Sequence, residues 1–176
     1  MIQTPLANID SYIAFFSENE LPVLRRTARA LAKLREDEDD VNAQHIVSVV
    51  LQDPLTAMRL LSYLETHRRH SQNRDITTID RAIMMMGITP FFEKFSNLPT
   101  VEERLVHHPK ALVGTLKVIT RARSAAQYAR DWAVLRHDLD VDEVTVAALL
   151  HDAAELLFWS CAPDLMLRVA QVMQEA

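Results

Sequence analysis

The chain has 176 residues, enough for one domain with a sizeable core, and its 49% hydrophobic and 24% charged residues are ordinary globular proportions that exclude a disordered polymer. A net charge of −5 argues against a general nucleic-acid binder, which carries a basic face, so nucleic acid is not an expected partner. A single cysteine, Cys161, excludes an internal disulfide framework, and only 2 glycines beside abundant Ala, Leu, Arg and Glu favour helix over tight turns and strand corners. The amino terminus lacks the basic and apolar regions of a signal peptide, and no apolar run approaches the roughly 18 residues of a spanning helix. The expectation is a soluble, cytoplasmic protein without membrane contact.

In chain order, residues 8–17 read as a short first helix with Ile9, Ile13 and Phe16 at helical spacing. Leu21-Pro22 opens a second, because proline suits a first turn. Val23, Leu24, Thr27, Ala28, Leu31 and Leu34 give it one apolar face, and the run Glu36-Asp37-Glu38-Asp39-Asp40 ends it as a solvated loop. Residues 41–51 form a third helix with Ile46, Val49 and Val50 inward. Asp53-Pro54 marks a fourth, with Asp53 as N-cap and Pro54 at the first helical position. It carries Leu55, Met58, Leu61 and Tyr63 and ends in the basic cluster His67-Arg68-Arg69-His70, which suits a helix C-terminus. Residues 74–79 are an extended connector into a fifth helix over 80–86, closed by Gly87, with the Met84-Met85-Met86 triplet as core filler. Pro90 opens a short turn, Phe91-Phe92-Glu93-Lys94-Phe95. Asn97-Leu98-Pro99-Thr100 then breaks the chain at the expected boundary between an N-terminal lobe, 1–98, and a second lobe, 99–176.

Pro109 starts the longest helix, running to about Arg136, with Gly114 as a possible interruption and a face of Val118, Ala122, Ala125, Ala126, Ala129, Trp132 and Ala133. Residues 142–159 read as one helix that is apolar on most of its circumference, with His151, Asp152 and Glu155 alone on a narrow polar sector. Two readings of that sector are open: a solvated i, i+4 pair of His151 with Glu155, or a metal site, since His and Asp are metal ligands. Residues 163–173 form a last amphipathic helix, and no strand or internal repeat stands out.

Several stretches in order resemble the HDOD domain, the HD-related output domain of bacterial signalling proteins. They are Leu21-Pro22, then Asp53-Pro54-Leu55-Thr56-Ala57, then Ile76-Thr77-Thr78-Ile79 through Ala82-Ile83 to Gly87, and finally Ala148-Leu149-Leu150-His151-Asp152; together they cover roughly residues 14–160. The resemblance implies a single all-α domain, an HD-like bundle of roughly 8–10 helices related to HD phosphohydrolases. Those enzymes hold divalent metal on an upstream His, the His-Asp pair and a later Asp. Here the alignment puts Arg121, or failing that Arg123, where the upstream His would stand, and arginine is no metal ligand because it is cationic and has no acceptor. Ala154-Glu155 stands in place of Gly-Lys after the pair, Glu65-Thr66 in place of Asn-Ser after the Asp-Pro helix, and of later acids only Asp164 is available. The family continues through further helices, so the second lobe is expected to be shortened or part of a longer chain.

The expectation is therefore a non-catalytic regulatory domain without metal or cofactor, acting through a protein partner. Its degenerate HD site comprises His151, Asp152, Arg121, Arg123 and Glu155, with Arg121 or Arg123 pairing Asp152 in place of a metal. Arg68, Arg69, Phe91 and Phe92 are the expected interaction surface. Two alternatives remain: a metal-dependent phosphohydrolase borrowing ligands from His107, His108 or His137, and a nucleotide sensor with a pocket beside Arg121 and Arg123.

Overall fold

A computed structural model of the chain describes residues 1–37, 40–67, 77–137 and 140–175, without the side chain of Gln174. The described residues are all-α, and the one β-type contact among them is an isolated parallel bridge between Val23 and Thr100. The helices are α1 (Ile9–Glu18), α2 (Arg25–Glu36), α3 (Ala43–Val50), α4 (Pro54–Thr66), α5 (Ile79–Met86), α6 (Ile88–Phe95), the single turn α7 (Val101–Arg104), α8 (Pro109–Arg136), α9 (Val141–Leu149), α10 (Ala153–Cys161) and α11 (Pro163–Glu175).

Most boundaries follow local chemistry. Asn8, Asn42 and Thr78 accept hydrogen bonds from backbone N–H groups of the first turns of α1, α3 and α5, which satisfies donors that have no partner inside the helix. Gly87 has φ 86°, a conformation that strains other residues, and it closes α5 and opens α6 with no break between them. The α7 turn is closed by reciprocal hydrogen bonds between Thr100 and Glu103, a T-x-x-E signal present in the sequence. Gly114 does not interrupt α8, which runs 28 residues.

Asp53 is the anchor of the N-terminal half. Its carboxylate is fully buried; Oδ2 accepts from the Leu24 N–H and the Thr56 hydroxyl, both at 2.8 Å, and Oδ1 from the Leu55 N–H at 3.1 Å. It therefore caps α4 and at the same time holds the entry to α2. This explains why α2 starts at Arg25 rather than at Pro22: Val23 is extended, donating to Pro99 O at 3.0 Å and accepting from the Val101 N–H at 2.9 Å.

Two buried clusters make the core. One joins α2–α6 to Ala122 and Ala126 of α8 and to Val146 and Leu149 of α9. The other joins Leu24 and Leu55 to Val101, Leu105, Val118, Ile119, Leu156 and Trp159. Both clusters draw on residues from either side of position 98.

Several apolar assignments need correction. Phe91 and Phe92 are 0% and 1% exposed, packed edge-to-face in the core rather than on an interaction surface, because α6 turns its aromatic face onto α4 and α5. Arg68 and Arg69 lie outside the described residues, as do residues 70–73 and residues 74–76 of the connector. Ile9 and Ile13 are exposed; α1 docks instead through Tyr12 and Phe16, whose rings lie 5.1 and 5.6 Å from Phe158. Met84 and Met85 are exposed and only Met86 packs on the core. Trp132, expected on the small-residue packing face of α8, is exposed, while Val118, Ala122, Ala126 and Ala133 are buried. Counted across its polar residues, the stretch 141–161 has the length and apolarity of a membrane-crossing helix. In the fold it forms two helices, and Val146, Leu149, Leu156 and Trp159 bury it against the rest of the chain.

Candidate functional site

The expected continuous helix over 142–159 is broken at Leu150, His151 and Asp152, and this break makes the site. Leu150 has φ −97° and ψ 1°, and Asp152 φ −93° and ψ 24°, both off the helical values. The Ala153 N–H bonds back to Leu150 O at 3.0 Å, a tight turn in place of regular helical continuation. Apolar periodicity runs on across the break because Leu149 and Leu156 both face the core, so the pattern carries no sign of the corner.

At the corner Arg121, from the middle of α8, forks across two acids. Its Nε donates to Asp152 Oδ2 at 2.7 Å, and its Nη2 donates to Glu155 Oε2. Glu155 Oε1 accepts from Trp159 Nε1 at 3.2 Å, and Asp152 Oδ1 lies 3.0 Å from His151 Nδ1. His151 thus pairs with Asp152, not with Glu155, and its own side chain is 84% exposed. The hydrogen bond from Arg121, followed by that from His151, holds the Asp152 carboxyl below the usual carboxylate range, and the two acids push the Arg121 guanidinium up.

Arg121, not Arg123, takes the position opposite the His-Asp pair. The two are 200° apart around α8, and Arg123 donates to Gln52 on α3's exit turn. The histidines offered as borrowed ligands are not brought in. His107 and His108 precede α8 and His137 follows it, about 40 Å apart along a 28-residue helix, and His108 lies 3.5 Å from Asp164. Among the described residues no three His, Cys, Asp or Glu side chains converge as a metal-binding group. The donor set does not fit a divalent ion: the inward oxygens of Asp152 and Glu155 already face a fixed cation, and a metal there would meet the Arg121 charge.

The fork is half exposed at Arg121, so solvent screening limits it to about 1 kcal/mol of stability despite its short bonds. Because the folded-state pKa of Asp152 is depressed, this contribution is complete above the ordinary carboxylate range. It is lost as the pH falls through the folded value, below about pH 4. The stability difference between the native chain and Asp152→Asn, followed by urea melts from pH 7 to pH 3, is expected to shrink toward zero at the acid end. A difference that grew on acidification would contradict the pairing.

A family model described as the HDOD domain matches residues 21–176. Comparison with curated proteins and comparison with solved structures give no match.

Proposed function

This chain belongs to the HDOD domain family, and we propose that it is a non-catalytic signal-transduction domain that works by contact with a protein partner. One observation supports the reading: Arg121 pairs with both Asp152 and Glu155, and Asp152 is the acid that the family resemblance would make a metal ligand in a hydrolase. With both acids committed to a guanidinium, the corner leaves no carboxylate free of that cation to hold a water-activating ion, and it acts as a brace between α8 and α10. Further support comes from Tyr128, Trp132 and Leu135, which are 67%, 67% and 75% exposed at i, i+4 and i+7 of α8. Exposed Trp and Tyr on a rigid helix are residue types enriched where interfaces concentrate their binding energy.

The test has two arms. In the presence of manganese, phosphomonoesters and cyclic dinucleotides should be turned over no faster by the native chain than by Asp152→Ala. Any partner recovered by reciprocal tagging should be lost on Trp132→Ser, with an unchanged melting temperature. Turnover that disappears with Asp152→Ala would overturn the non-catalytic part, and partners that Trp132→Ser and Tyr128→Ser both retain would overturn the contact surface.

A further inference from the structure

A second pair of arginines lies away from the Arg121 corner. Arg26 of α2 donates from Nη2 to the Gln52 backbone O at 3.2 Å, and Arg123 of α8 donates from Nη2 to the Gln52 side-chain Oε1. Neither meets a carboxylate among the described residues. Arg123 Nε is buried with no hydrogen-bond partner. Burial, and then the nearby charge of Arg26, push the Arg123 guanidinium down from its ordinary value. Two like charges brought to one residue, one with a buried N–H left over, form an arrangement that native proteins normally complete with a water or an ion. Since the surplus is cationic and forked, the matching ion is an oxyanion.

The surroundings give this corner depth and direction. Arg123 and Gln52 line one end of a groove of about 750 Å³ between α3, α8 and α9, a size that suits a small organic ligand. At the other end are Asp80, accepting from Gln44 Nε2 at 2.9 Å, and Asp142, accepting from Arg130 Nη1 at 3.0 Å. Arg130, itself a lining residue, balances the Asp142 charge, so this end lacks the cationic surplus of the Arg123 end and offers acceptors to a donor. The exposed ring of Tyr128 forms part of the wall.

We propose that this groove binds a small organic phosphate, its phosphoryl group on Arg123 and its hydrogen-bond-donating end toward Asp80 and Asp142, with Arg26, which meets Gln52 from outside the lining residues, supplying the second positive charge at the groove's edge. Two guanidiniums match a phosphate dianion better than a single carboxylate, in charge and in number of acceptors. Arg26 and Arg123 take no part in the Trp132 face, so this proposal and the protein-contact reading can fail separately.

Calorimetric titration of the whole chain with inorganic phosphate, AMP and adenosine tests it. AMP should bind, with adenosine weaker by about tenfold or more, and Arg123→Gln and Arg26→Gln should each weaken AMP by about tenfold. Arg121→Gln should leave AMP binding unchanged. Arg26 is exposed, so its variant keeps the test open if Arg123→Gln fails to fold. Failure of both phosphate probes to bind, equal affinity for AMP and adenosine, or AMP binding that survives both substitutions would each overturn the proposal.

Discussion

Replacing Asp53 by alanine is expected to cost about 3 kcal/mol of stability and to lower the melting midpoint by about 10 °C. Loss of a helix N-cap alone costs about 1 kcal/mol. Here the same carboxylate also satisfies the buried Leu24 N–H and the Thr56 hydroxyl, with the Thr27 hydroxyl as a further donor. Alanine would strand these groups away from water, at about 1–3 kcal/mol for each one left unpaired. Asn should recover only part of the loss, since it keeps one acceptor oxygen where the carboxylate uses two. Burial, against four donors, pushes the Asp53 carboxyl up. The folded state therefore binds the extra proton first, and stability from this group falls as the pH rises from the ordinary carboxylate range through the raised value, opposite in sign to Asp152. Urea unfolding of Asp53→Ala and Asp53→Asn checks the ranking; an alanine variant within 1 kcal/mol of the native chain would contradict the anchor.

The second large effect is at Gly114, where helix propensity and packing predict opposite signs. In an α-helix interior, Gly→Ala ordinarily gains about 1 kcal/mol. At position 114 a Cβ would lie 2.7 Å from Trp159 Cδ2 and 2.8 Å from its Cε2 and Cε3. The indole is rigid, 8% exposed and tied to Glu155, so α8 and α10 must separate. Overpacking of this kind costs about 1–3 kcal/mol, and a net loss of about 1 kcal/mol is expected where propensity alone would give a gain. Because Glu155 also accepts from Arg121, the displacement should reach the His-Asp corner. Stability of Gly114→Ala, with the buried Trp159 fluorescence followed alongside, reads the effect. A stabilised variant would mean that the ring does not rest on α8.

What the sequence made legible is what short-range chemistry determines. Asp53-Pro54, Gly87 and Pro109 mark helix ends through capping and proline geometry, and those boundaries stand within a residue or so of their expected places. The reach of Asp53 to Leu24, 29 residues away, was not legible, because a cap pattern does not say what else its carboxylate touches. Nor was the break at 150–152, since Leu149 and Leu156 are buried on either side and keep the apolar rhythm intact. An arginine opposite the His-Asp pair was readable from the resemblance. The resemblance puts Arg121 first there and Arg123 second, the rotation of α8 separates the two, and the role of Glu155 in the fork required the turn. Phe91 and Phe92 illustrate a limit of composition, since a Phe-rich turn reads equally as core or as surface until its neighbours are placed.

The most direct test of the corner as an ion-paired brace rather than a metal centre is titration of the metal-stripped protein with manganese, iron, zinc and magnesium. The expected result is no stoichiometric tight site, because Arg121 occupies both acids. One ion held tightly per chain and lost on Asp152→Ala would contradict that assignment, returning His151 and Asp152 to the role of ligands.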